Sequence, residues 1–283
     1  MRDFILNEEI RKEVYSILTE ILGSDATGIY CNVQEQEGMG YGDFYSTLST
    51  DEEGNLIGFG NAIYETDNTT LHNGASRFVI LPERTEYVIK LPITGVYDWK
   101  DTLVKDDDVL ELWESLGDVD YYCEEGYVTK SKEFTCCCVR SNTDLMDSEN
   151  ALYDEAKEMS ENTADMLLPN EYVGDFNGIP VWIQRKVSVS DSNYCEDYRP
   201  SAEENEAVSK VEAKSIFSRG FLFSIARKYG NAIFEILETI NILGLDDLHG
   251  GNIGYLKNGD PVIFDFAGYD DETIWDYKAV LNY

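Results

Sequence analysis

Apolar residues recur at helical spacing near the start of the chain, where Ile10, Val14, Ile17, Leu18 and Ile21 mark one side of a stretch from about Glu8 to Leu22. This spacing predicts a helix that packs by one face. From Cys31 to Thr70 the pattern weakens. Gly, Asp, Asn and Thr alternate with short apolar pieces such as Leu56-Ile57-Gly58-Phe59, which predicts loops and weak strands with no definite arrangement. The signal then sharpens: Arg77-Phe78-Val79-Ile80-Leu81 and Glu86-Tyr87-Val88-Ile89-Lys90-Leu91 flank a Pro82-Glu83-Arg84-Thr85 turn and predict a β-hairpin, preceded by Asn73-Gly74-Ala75-Ser76.

Between Asp101 and Glu125 ten acidic residues face the single base Lys105, with Val109-Leu110-Glu111-Leu112-Trp113 as a short helical piece. Phe134 to Val139 reads as a strand. Asp147 is placed to cap a helix from about Ser148 to Ala164, and Asn177-Gly178 joins strands near Tyr172 and from Pro180 to Val187. The polar stretch Asp191 to Pro200 is the expected boundary between two lobes. Helical patterns follow near Ala202 to Ser215, Gly220 to Tyr229 and Asn231 to Leu243, the last with a wide apolar face. A strand-turn-strand closes the pattern, from Asn252 to Leu256 and from Pro261 to Phe266 around Asn258-Gly259-Asp260.

Composition narrows the function classes. The 283 residues carry a formal net charge of −33, yet 43% are hydrophobic and 12% aromatic, enough for a core. A basic surface for releasing counterions is lacking, so direct nucleic-acid binding and attachment to anionic lipid are not expected. No apolar run is long enough to span a bilayer, and the charged, helix-periodic N-terminus is unlike a secretory signal, so a cytoplasmic protein is expected. The six cysteines include the consecutive Cys136, Cys137 and Cys138 and form no CxxC, which points to reduced thiols rather than a disulfide framework or zinc site.

The chemistry concentrates near the end. Leu245-Asp246-Asp247-Leu248-His249-Gly250-Gly251-Asn252 precedes the last strand pair, and Val262-Ile263-Phe264-Asp265-Phe266-Ala267-Gly268 follows it. Asp247 and Asn252 are five positions apart, and Asn252 and Asp265 thirteen. Order and spacing resemble the catalytic and metal loops of the protein-kinase-like superfamily. Transfer of a γ-phosphoryl group needs oxygen ligands for a hard cation and a carboxylate beside the acceptor hydroxyl. The resemblance therefore implies ATP and Mg²⁺ as cofactors, Asn252 and Asp265 as metal ligands, and Asp247 as the residue that orients or deprotonates the acceptor.

It also implies an N-terminal lobe that supplies a lysine and a helix glutamate. Val88-Ile89-Lys90 resembles the lysine strand, and Gly74 and Ser76 then fall where the phosphate-covering turn belongs, although that turn carries one glycine rather than three. Glu149 is the expected partner of Lys90, because Leu145, Glu149, Leu152, Ala156 and Met159 recur at helical spacing and point it inward, where an unpaired carboxylate would be costly. Glu155 is the second choice. Gln184-Arg185-Lys186-Val187 takes the place of the adenine-facing hinge, with Lys186 counted among the nucleotide contacts.

The resemblance thus implies an α+β, two-lobed protein-kinase-like fold. Residues 1–190 form its N-terminal lobe, with an N-terminal extension and an acidic insertion at about 98–133, and residues 191–283 form a reduced helical C-terminal lobe. The truncation is inferred from the short stretch after Gly268, and D-L-H-x-x-N is the style of aminoglycoside phosphotransferase-like enzymes and of minimal bacteriophage-encoded kinases. The expected activity is an ATP- and Mg-dependent protein kinase acting on Ser, Thr or Tyr of a host protein or on itself, in the host bacterial cytoplasm if phage-encoded. Two other readings stand beside it: an acidic binding protein on a kinase scaffold, mimicking nucleic acid toward a basic partner, and a small-molecule phosphotransferase.

Overall fold

The computed structural model describes residues 6–32, 49–59, 62–73, 77–97, 103–105, 145–189, 199–212, 215, 217–245, 248 and 250–266. The chain is mixed α+β, and it divides into two compact units. The first holds the described residues up to Leu145 together with Glu171–Gln184; the second holds Met146–Asn170 and the described residues from Arg185 on. Segment 146–170 thus keeps company with the C-terminal elements, whereas the expected boundary near residue 190 put it with the N-terminal ones.

In the first unit, helix α1 (Glu8–Leu22) has the predicted span. It starts at Asn7, whose Oδ1 accepts hydrogen bonds from the N–H groups of Glu9 (2.9 Å) and Ile10 (3.0 Å). Val14, Ile17, Leu18 and Leu22 are buried, with Ile10 and Ile21 half-buried at the margin. They share a core with a six-stranded sheet in the order β10-β11-β7-β6-β5-β4. Its strands are β4 (Ala62–Thr66), β5 (Thr69–Asn73), β6 (Arg77–Pro82), β7 (Tyr87–Pro92), β10 (Glu171–Phe176) and β11 (Ile179–Arg185). The predicted hairpin is β6–β7, with Phe78 opposite Leu91 and Ile80 opposite Ile89. Asn177 (φ 52°) and Gly178 (φ 88°) form the left-handed turn foreseen between β10 and β11. Gly174, at an irregularity of β10, has φ 134°, and a Cβ there would lie 2.5 Å from the Tyr15 hydroxyl of α1.

The region from Cys31 to Thr70 is more ordered than its sequence suggests. Besides β4 and the start of β5 it contains β2 (Ser49–Thr50), β3 (Leu56–Phe59) and the end of β1 (Ile29–Asn32), which join β8 (Gly95–Tyr97) and β9 (Leu103–Lys105) in a second sheet, β2-β3-β1-β8-β9. Here β1 runs parallel to both β3 and β8. Parallel pairing needs partners distant in sequence and leaves no two-residue alternation to read, so local pattern misses it. The expected elements at Val109–Trp113 and Phe134–Val139, and most of Asp191–Pro200, lie outside the described residues.

In the second unit, helix α2 spans 145–159 and already includes Asp147, which is exposed within it rather than capping it. Burial of Leu145 and Met146 extends the helix backward past the capping residue. The single helix expected to Ala164 is broken at Ser160, whose Oγ accepts from Thr163 N–H at 3.1 Å and caps α3 (Glu161–Met166). The apolar stripe therefore ends at Tyr153 and Ala156, and Met159 is 42% exposed. Helices α4 (Ala202–Val211), opened by a Ser201–Glu204 capping box, α5 (Arg219–Tyr229) and α6 (Ile233–Ile242) enclose a second core. The first turn expected of α6 is a separate 3₁₀ turn, Gly230–Ala232. A small sheet of β12 (Ser188–Val189), β13 (Ile253–Tyr255) and β14 (Pro261–Ile263) completes the unit.

Candidate functional site

The hairpin β13–β14 carries two of the expected ligands, Asn252 and Asp265, at its open end. Its turn closes with Gly259 at φ 85° and Asn258 Oδ1 accepting from Asp260 N–H at 3.1 Å. Ile253 pairs with Ile263, and the ladder continues one step further, with Phe264 N–H donating to the Asn252 carbonyl at 3.0 Å. Asp265 directly follows Phe264, so it leaves the open end of the hairpin next to the residue that bonds to Asn252. Asn252 is buried and Asp265 half-buried. The pair offers hard oxygen donors of the type Mg²⁺ takes, a chemical fit to the group the sequence implies. Among the described residues no cluster of three or more His, Cys, Asp or Glu forms a metal site.

The hairpin is fixed on both sides. Leu167 makes a parallel bridge to Ile263, and Leu168 N–H donates to the Ile263 carbonyl at 2.8 Å. On the other side Gly254 lies so close to β12 that a Cβ would approach the Ser188 carbonyl oxygen to 2.8 Å. Lys228 ties down the turn: its Nζ lies 2.7 Å from Asp165 Oδ2 on α3 and 3.1 Å from Asp260 Oδ2, while the Tyr229 hydroxyl donates to Asp165 Oδ2 at 3.0 Å. Burial and the negative charge of Asp165 push the Tyr229 phenol far above its ordinary range, so it stays a donor.

Asp247 and His249 lie outside the described residues. Leu245 and Leu248, which flank Asp247, are both buried. Gly74 and Ser76 also lie outside, in the stretch joining β5 to β6. Lys186 is half-buried just past β11.

Glu149 points inward as its helical position predicts and is fully buried, whereas Glu155 is exposed. Its carboxylate accepts a hydrogen bond from the Asn170 side-chain amide, and Asn170 N–H donates to Asn150 Oδ1 at 3.0 Å. Asn170 ends the segment between α3 and β10 and was not singled out from sequence; a lone Asn before a strand reads as a turn residue. Gly254 was missed as well, although a glycine inside a strand pattern is a recognised sign of close backbone approach.

Lys90 is buried on β7, opposite Val79 of β6, in the first unit. Asn252, Asp265, Glu149 and Lys186 belong to the second. No family model, curated protein or solved structure matches the chain.

Proposed function

We propose that the chain is an ATP- and Mg-dependent phosphotransferase with a protein-kinase-like fold, acting on Ser, Thr or Tyr of a protein. The observation that carries the reading is the hairpin whose open end holds Asn252, bonded to Phe264, and then Asp265, two oxygen donors downstream in sequence of Asp247. The strand order agrees: β5, β6 and β7 are successive neighbours, with β11 and then β10 beside β7, so the strand bearing Lys90 is central in its sheet. Bound Mg²⁺ would neutralise charge on the transferring phosphoryl group. The sequence resemblance assigns Asn252 and Asp265 to hold it, Asp247 to orient the acceptor hydroxyl and Lys90 to hold the nucleotide phosphates, with Glu149 as the expected partner of that lysine. The same resemblance assigns Gly74 and Ser76 to cover those phosphates and Lys186 to the nucleotide's edge.

The test is transfer of the γ-phosphoryl group to protein, in cells and in the purified chain. Phosphoproteomics of cells expressing wild type should show sites absent with Asp247→Ala and Asp265→Ala, and robust transfer by either variant refutes these roles. The charge of −33 favours a second reading, a binding protein on the same scaffold that engages a basic partner through its acidic surface. Partner capture that weakens steeply with salt, and a biological effect retained in Asp265→Ala, would select that reading instead.

A further inference from the structure

The two faces of the six-stranded sheet are chemically different. Tyr64, Leu71, Phe78, Ile80, Ile89 and Leu91 occupy one face and join the core beneath α1. The register fixes what lies on the other. His72 stands opposite Val79 across β5 and β6, and Val79 stands opposite Lys90 across β6 and β7, so these three share that second face. Arg77 is two residues from Val79 on the same strand, which puts it on this face too, diagonal to Lys90.

Two basic side chains therefore occupy neighbouring strands on one face, in a chain whose net charge is −33. Arg77 is only 5% exposed and Lys90 4%, while Ile63, His72 and Val79 on the same face are half-buried and leave it partly open to solvent. Glu65, at the far end of β4, is the acidic side chain this face carries on β4 to β7. Arg77 and Lys90 each engage other groups of the protein as well. An anion spanning both would add charge-assisted hydrogen bonds to those contacts.

Diagonal neighbours in a sheet stand about 7–8 Å apart at the backbone, close enough for two long basic side chains to engage one polyphosphate. Arg77 also directly follows the sequence Gly74-Ala75-Ser76, which lacks the further glycines that would let several backbone N–H groups approach a phosphate. A guanidinium makes two parallel hydrogen bonds to phosphate oxygens, which lysine cannot do.

We propose that Arg77 is a second polyphosphate-binding residue beside Lys90, supplying by charge what the glycine-poor sequence before it does not supply by backbone. The proposal deepens the phosphotransferase reading and rests on it for the identity of the ligand, a nucleoside triphosphate. The experiment is calorimetric titration of the full chain with Mg-ATP, adenosine and inorganic tripolyphosphate, in wild type, Arg77→Gln and Arg77→Lys, with thermal melts to establish folding. Arg77→Gln should weaken Mg-ATP and tripolyphosphate by at least about tenfold and leave adenosine unchanged, with Arg77→Lys between the two. If Arg77→Gln does not fold, a selective loss of Mg-ATP over adenosine in Arg77→Lys supports the proposal, and an unchanged ratio overturns it. Equal weakening of adenosine and Mg-ATP, or unchanged tripolyphosphate binding, also overturns it. If wild type binds tripolyphosphate through Arg77 but neither ATP nor adenosine, the anion site stands and the phosphotransferase reading falls. If it binds none of the three, both fall.

Discussion

Replacing Lys228 with Met removes the cation between Asp165 and Asp260 but keeps the apolar stem of the side chain. At an effective dielectric near 20, a unit charge pair about 4 Å apart has a gross interaction of roughly 4 kcal/mol. Lys228 is 21% exposed, and Asp165 and Asp260 are 39% and 26% exposed, so solvent and side-chain entropy remove most of that. What remains is two short contacts to one ammonium, and a pair of carboxylates left facing each other without it. We expect Lys228→Met to lose about 1–2 kcal/mol, read as the urea midpoint at low salt. Adding Asp165→Asn should return part of the loss, because the surviving carboxylate then has no like charge beside it. Burial raises the Asp165 carboxyl, but hydrogen bonds from Lys228 and Tyr229 outweigh it and hold it below its ordinary value of 3.8. That contribution is therefore present above pH 3.8 and disappears as pH falls through the lower folded value. The gap between wild type and Lys228→Met should close over the same acid range. Amide exchange at Ile253 to Tyr255 should quicken in the variant, since the clamp holds the hairpin's turn. An unchanged midpoint at neutral pH, or a gap indifferent to both salt and acid, would refute the reasoning.

Two further outcomes follow from the first unit. Gly174→Ala places a side chain at φ 134° and 2.5 Å from the Tyr15 hydroxyl, so it should destabilise by about 2–4 kcal/mol. In a Tyr15→Ala background only the backbone part, about 1–3 kcal/mol, should remain, and a chemical-denaturation cycle measures both. Burial lowers the His72 imidazole below its ordinary value of 6.5, so the unfolded chain takes up the proton first as pH falls. Stability should be full above pH 6.5 and decline below it, and His72→Gln should flatten that decline; identical midpoint-against-pH curves would contradict the assignment.

What the sequence made legible follows from the range of the interactions. α1 and the hairpins β6–β7 and β10–β11 are local structures whose periodicity and turn dipeptides carry their whole signal. The hairpin between Asn252 and Asp265 is readable because its two short strands are joined by a local turn. The parallel pairing of β1 with β3 and β8 was not readable, since each partner lies far along the chain and the strands have only three or four residues. The start of α2 was misread because burial of Leu145 and Met146 outweighs the capping preference of Asp147. Asn170 was invisible because its importance depends on a side chain twenty-one residues earlier, Glu149.

The chain passes between its two compact units at Leu145/Met146, Asn170/Glu171 and Gln184/Arg185. No single cut can therefore release either unit intact. A fragment stopping after Leu145 lacks β10 and β11 and leaves β7 as an unpaired edge, a hazard for intermolecular strand addition. On the ribosome the same constraint delays completion of the six-stranded sheet until β11 has emerged, by which point α2 and α3 have already been made. Removing the inserted stretch 146–170 and rejoining its ends would be the more faithful way to ask whether the first unit folds alone.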